Sequence, residues 1–174
     1  FGFATPSDRS SIIYSLNWKA DPNENKLVSL FWGIPTARRV FDVPIDVYFS
    51  PGMAYHLAGP AQDTFLEGIL TFKLFYTLKF RSIALRFGIG EGLSYSDRIS
   101  DIEAYDMRVR NLEGSHLLNY LDDSLDLDLE PLLGVRAWIG YYLHHRSGIF
   151  GSSSVFGRVR GGSNYNSVQI TVKL

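Results

Sequence analysis

The stretch GVRAWIGYYLHHRS, residues 134–147, reads as a strand with two unlike faces. Side chains alternate along a strand, so Val135, Ala137, Ile139, Tyr141, Leu143, His145 and Ser147 share one side, and Arg136, Trp138, Gly140, Tyr142, His144 and Arg146 the other. The first side is apolar for five positions and ends in a histidine and a serine. The second mixes cations, aromatics and glycine, as the interior of a small transmembrane barrel does. His145 and Ser147 therefore sit on the greasy side, where a polar pair needs a reason.

The same alternation recurs along the chain in segments of about ten residues separated by turn chemistry, the sequence pattern of a membrane barrel. Residues 11–20 put Ile12, Tyr14, Leu16, Trp18 and Ala20 on one face and Ser11, Ser15, Asn17 and Lys19 on the other. DPNEN at 21–25 is a turn by composition. Residues 27–34 are apolar on both faces. Residues 43–55 set Val43, Ile45, Val47, Phe49, Met53 and Tyr55 outward against Asp46, Tyr48, Ser50, Gly52, Ala54 and His56, with Pro51 implying a bulge or a strand end.

Further on, Leu66, Leu70, Phe72, Leu74 and Tyr76 alternate with Glu67, Ile69, Thr71, Lys73 and Phe75 before a turn near Thr77. Ile83 to Tyr95 repeats the pattern with Gly88, Gly90 and Gly92 stacked on one face, where other side chains can then approach closely. Residues 96–114 form a polar loop with a short helix around 103–112. Residues 117–130 alternate leucines with Tyr120, Asp122, Ser124, Asp126, Asp128 and Glu130. The 148–162 stretch is a Gly/Ser-rich loop, and the chain ends on a strand with Val168, Ile170, Val172 and Leu174 outward.

These segments count to eight, so the reading is all-β: one domain, residues 1–174, folded as an eight-stranded antiparallel transmembrane β-barrel. Short connections near 35–42, 77 and 131 alternate with longer ones at 21, 58, 96 and 148, which orients the barrel and places His145 and Ser147 at the level of the external leaflet. The inward set, Lys19, Asp46, Glu67, Lys73, Arg86, Asp126, Asp128, Arg136 and Lys173, has both signs, so the lumen is expected to be a packed ion-pair network.

Composition narrows the function. Lys and Arg total 17 against 18 Asp and Glu, which gives no electrostatic reason to expect nucleic acid as a partner. Cysteine is absent, which removes thiolate chemistry and disulfide scaffolds. No apolar run reaches the roughly 18 residues of a transmembrane helix. Neither a cofactor motif nor a metal-ligand spacing is read from the chain. His144 and His145 point oppositely, His56 and His116 lie apart, and GIGEG at 88–92 lacks the Lys-Ser/Thr of a phosphate loop. The absence of a basic-plus-apolar leader before Phe1 is read as that of a processed chain, exported to the bacterial outer membrane from a signal-peptide-bearing precursor.

His145 and Ser147 are neighbours on one strand face, so a base and a nucleophile can meet. The strand-borne His145-x-Ser147 near the end of an eight-stranded barrel, followed by a Gly-containing loop and a last strand, resembles the outer-membrane lipid A 3-O-deacylases, an acyloxyacyl hydrolase-like family. The resemblance covers the C-terminal part of the chain, and the rest through barrel architecture alone. It implies Ser147 as nucleophile, His145 as general base, and a carboxylate at the start of the final strand as orienter, in a site facing lipopolysaccharide outside the barrel. That carboxylate position here holds Asn164, with Asn166 beside it. Gly148 replaces the asparagine the family typically has after the serine, and Asn119 is a substitute donor. An asparagine orients an imidazole but adds no charge.

Two acidic residues, Glu91 and Asp123, break the outward face at a cost in hydrocarbon. They open a second expectation: a non-catalytic structural or assembly barrel, packed laterally against a partner outer-membrane protein through the Asp123 region.

Overall fold

A computed structural model describes residues 1–15, 18–111, 114–148 and 162–174. The strands are β1 (Gly2–Thr5), β2 (Lys26–Phe31), β3 (Ile34–Ala37), β4 (Ile45–His56), β5 (Phe65–Phe80), β6 (Ile83–Ser96), β7 (Leu117–Asp128), β8 (Ala137–Ser147) and β9 (Gly162–Val172). Their order is β2-β1-β9-β8-β7-β6-β5-β4-β3, and β2 also pairs with β4. Since β2 and β3 pair end to end with the same strand, the nine segments make a closed ring of eight antiparallel strands. The interruption between β2 and β3 faces Pro51, whose position in β4 is otherwise paired without a bulge to β5. A proline has no N–H for a neighbouring strand, and Trp32 instead donates to the Pro51 carbonyl.

Alternation fixes what each wall shows. Along β5, Phe65, Glu67, Ile69, Thr71, Lys73 and Phe75 are buried, and Leu66, Leu70, Phe72, Leu74 and Tyr76 are exposed. The ring is thus polar inside and apolar outside. Within it, Lys73 pairs with Asp122 at 2.6 Å, Arg86 with Asp126 at 2.8 Å, and Lys173 with Asp128 at 2.5 Å and Glu130 at 2.8 Å. The lumenal glycines make room for this layer. A Cβ on Gly90 would lie 2.6 Å from the Asp122 carboxylate, and one on Gly92 would run into the Leu70 carbonyl.

Five expectations change. Residues 11–20 are not a strand: α1 spans Arg9–Ser15, Trp18 to Ala20 are irregular, and Leu16 and Asn17 lie outside the described residues. The cause is an N-cap. Asp8 accepts from the Ser11 N–H at 2.9 Å and the Ser11 hydroxyl at 2.7 Å, and Ser10 adds a further hydroxyl. Ser10 first, then Ser11, holds the Asp8 carboxyl well below the usual carboxylate range. The first stave is β1 instead. Lys19 is consequently exposed and not lumenal, and Arg136, one residue before β8 begins, is exposed as well.

The hairpin after β5 turns at 81–82 and not near Thr77, because Leu78 and Phe80 continue the pairing with Leu85 and Ile83. Helix α2 runs Asp101–Arg110 with Ser100 as its cap, and Leu112 lies outside the described residues, as does most of the 148–162 loop. Finally, the lumen is not packed throughout. With four residues, β1 flanks β9 only from Asn164 to Ser167. A cavity of about 1020 Å³ adjoins the rest of β9 and is lined by Trp32, Arg38, Tyr48, Arg86, Trp138 and Gln169.

Candidate active site on the outer face

The β7–β8–β9 ladder brings the sequence-derived residues together. Register sets His145 opposite Leu121 on one side and Asn164 on the other, and Ser147 opposite Asn119 and Gly162. His144 turns into the lumen and is fully buried, while His145 and Ser147 are half-buried on the outer side. The Nδ1 of His145 lies 2.5 Å from the Asn164 Oδ1. An amide oxygen only accepts, so Nδ1 carries the proton and Nε2 keeps its lone pair, the tautomer a general base needs. The Asn164 amide is itself held, its Nδ2 donating to the Ser7 carbonyl at 2.9 Å.

Ser147 follows two positions on, roughly 6.6 Å along the strand. No hydrogen bond joins it to His145 among the described residues. Asn119 faces it directly, so it is nearer the serine than the histidine. Asn166 stands one row away, opposite Leu143, and accepts from the Tyr141 hydroxyl at 2.6 Å.

The two acidic residues separate in role. β6 and β7 pair without a bulge from Leu85 to Tyr95, so Glu91 and Asp123 both remain on the outer side. Glu91 is exposed. Asp123 receives both the Nε and Nη2 of Arg9, at 2.7 and 2.8 Å.

Arg9, Ser7 and Trp18 are participants that the sequence reading did not identify. Residues 7–15, together with Trp18, lie as a strap across the long-loop half of β7, β8 and β9. Arg9 clamps Asp123, the Ser7 carbonyl takes the Asn164 amide, and Trp18 stacks on Tyr141 with ring centres 5.4 Å apart. Leu143, outward by parity, is fully buried as a result. The capping pair Asp8 and Ser11 was the available signal for a helix here.

A second group was also missed. His56 and Glu67, on the paired neighbours β4 and β5, meet His144 of β8 inside the ring, although His144 is distant from both in sequence.

No family model, curated protein or solved structure matches this chain.

Proposed function

We propose that this chain is a bacterial outer-membrane serine esterase that cleaves an acyl ester of an outer-leaflet lipid, with lipid A of lipopolysaccharide as the substrate class. The observation that carries the reading is the 2.5 Å bond from His145 to Asn164 beside Ser147, on a wall whose outward residues are apolar.

Which side is greasy supports membrane insertion. Leu70, Phe72, Ile89 and Leu74 are 55, 55, 49 and 44% exposed, while the interior holds ion pairs. A water-soluble ring would reverse that distribution, since contiguous exposed apolar surface of this extent is costly in water. In the proposed reaction, His145 Nε2 takes the Ser147 hydroxyl proton as Oγ attacks the ester carbonyl. Asn164 keeps the imidazole in the correct tautomer, and Asn119 is placed to donate to the oxyanion. The serine–histidine contact closes when substrate is bound, as such contacts commonly do.

A non-catalytic structural barrel is the second reading, favoured by the strap that lies over the same face. Its original motive, an unanswered Asp123 seeking a partner protein, is weakened by Arg9, which supplies the counter-charge from within the chain.

Mass spectrometry of lipid A from cells expressing the wild type, Ser147→Ala and His145→Ala distinguishes the two. Loss of one acyl chain only with the wild type is expected. Identical acylation in all three, with each protein folded in the membrane, overturns the esterase reading.

A further inference from the structure

Three strands of the ring send a donor atom to one point in the lumen near the long-loop end. His56 closes β4, Glu67 lies on β5 and His144 on β8, and each side chain is fully buried. The His56 Nε2 is 2.7 Å from Glu67 Oε2, and the His144 Nε2 is 3.1 Å from the same oxygen. All three donor atoms lie within 4.8 Å of one another. In the ring order β4 and β8 stand on opposite walls, so the two imidazoles reach in from opposite sides.

Their surroundings turn these atoms towards a common centre. His56 Nδ1 faces the Tyr165 hydroxyl at 3.2 Å, and His144 Nδ1 faces the Tyr120 hydroxyl at 3.4 Å. A hydroxyl can accept an Nδ1–H, and in that tautomer each Nε2 lone pair is directed inward; with no ion bound, His56 Nε2–H donates to Glu67 Oε2 instead. Glu67 is oriented in the same sense. Its Oε1 accepts from the Ser94 hydroxyl at 2.6 Å and lies 3.7 Å from Arg146 Nε, which leaves Oε2 for the imidazoles. Arg146 is in turn drawn away by Glu103 at 3.1 Å and the His116 carbonyl at 3.1 Å.

Two buried nitrogens of this cluster lack a hydrogen-bond partner, Arg146 Nε and His144 Nε2, and of these only the imidazole nitrogen can offer a lone pair to a metal. Its approach to Glu67 is close but misaligned. A cation between the three atoms would take the place of the His56 proton on Glu67 and give His144 Nε2 the partner it lacks.

We propose that His56, Glu67 and His144 bind one divalent transition-metal ion through the two Nε2 atoms and Oε2. Two imidazoles and one carboxylate suit zinc, whereas calcium and magnesium take oxygen ligands. Bonds of about 2.1 Å spread the donors to roughly 3.4 Å, a widening of about 0.7 Å from the 2.7 Å gap and about 0.3 Å from the 3.1 Å gap. Below the site Ile69, Tyr120 and Tyr142 pack into one apolar cluster, and above it Glu103 of α2 ties into Arg146 and Ser163. The ion therefore acts as a cross-link between opposite walls. This inference does not depend on the chemistry of Ser147.

The test uses the folded full chain in detergent micelles, stripped with a chelator and then given Co²⁺ or Zn²⁺ alone. One equivalent retained through gel filtration is expected, with a Co²⁺ ligand-field spectrum of low coordination number and a higher unfolding temperature. His144→Gln should weaken binding by roughly 100-fold or more, and Tyr165→Phe by about 10-fold, since second-shell partners matter less than ligands. His116→Gln should change nothing. Circular dichroism reports whether each variant has folded. If His144→Gln does not fold, the wild-type spectrum and stoichiometry decide alone. A folded wild type that keeps neither metal, or a folded His56→Gln/His144→Gln double variant that keeps it undiminished, overturns the site.

Discussion

His145 and Asn164 stand directly opposite each other across the β8–β9 pair, with the imidazole Nδ1 2.5 Å from the amide oxygen. This geometry supplies orientation and tautomer without charge. In trypsin-like triads the opposite exchange, acid to amide, lowers kcat about 10⁴-fold through the wrong tautomer, a fault that the Asn164 oxygen facing Nδ1 does not introduce here. Asn164→Glu should raise the esterase rate, by about 10-fold and not the full factor, because the Ser7 carbonyl loses its amide donor in the same change. Asn164→Ala should lower it by a similar amount, mainly in kcat. Initial rates of fatty-acid release from lipid A in mixed micelles report both, and a folded Asn164→Glu slower than the wild type contradicts the assigned role.

The lumen makes a stability prediction. Arg86 donates through Nε and Nη2 to one Asp126 oxygen, and Gln169 donates to the other at 2.5 Å. Arg86→Met leaves a buried carboxylate without its cation, a loss of about 3 kcal/mol in similar buried pairs. Adding Asp126→Leu should recover most of it. Urea unfolding in micelles measures the series. A double variant no more stable than the single one would show that the pair is not the cause.

Outward positions predict the opposite preference. Ile89 is exposed at the middle of β6, and an arginine there should destabilise the inserted protein by about 2–4 kcal/mol, falling towards zero for an arginine at Phe80 near the strand end. Folding yields into bilayers from urea give the two values. Equal, negligible costs at both positions would remove the case for a lipid-facing wall.

Parity was the legible part of this chain. Glu67, Lys73, Asp122 and Asp126 face inward and Leu70, Leu74 and Leu125 outward, as their spacing says, because a strand buried on one side cannot slip by one residue without exposing the wrong set. The His145–Asn164 contact was legible for the same reason, since parity and antiparallel pairing across one loop fix it. Residues 11–20 misled because Ile12, Tyr14, Leu16 and Trp18 alternate by chance, while the cap at Asp8 decides the local structure. GFAT is too short to show a period, so β1 was invisible. The His56–Glu67–His144 convergence was hidden because shear and closure set which residues meet across a ring, and neither is written in local spacing.

The strap gives the last prediction. Arg9 holds Asp123 through two nitrogens, with side chains 30 and 22% exposed, so the pair is shielded but not sealed. Exposed pairs are worth about 0.2–1 kcal/mol, and this two-nitrogen contact over an apolar wall should couple near the top of that range in a double-mutant cycle of Arg9→Ala and Asp123→Ala. Loss of the clamp should raise amide exchange in residues 7–15 and leave the β4–β6 wall unchanged. Its effect on activity separates the two functional readings. If Ser147 acts on a lipid that must reach His145, Arg9→Ala frees the face and activity rises or holds while the strap loosens. If the strap is a fixed part of the wall, Arg9→Ala loosens β9 with it and no lipid change accompanies any variant. Hydrogen exchange read beside lipid A mass spectra decides, and a strap as protected in Arg9→Ala as in the wild type would show that the clamp does not hold it.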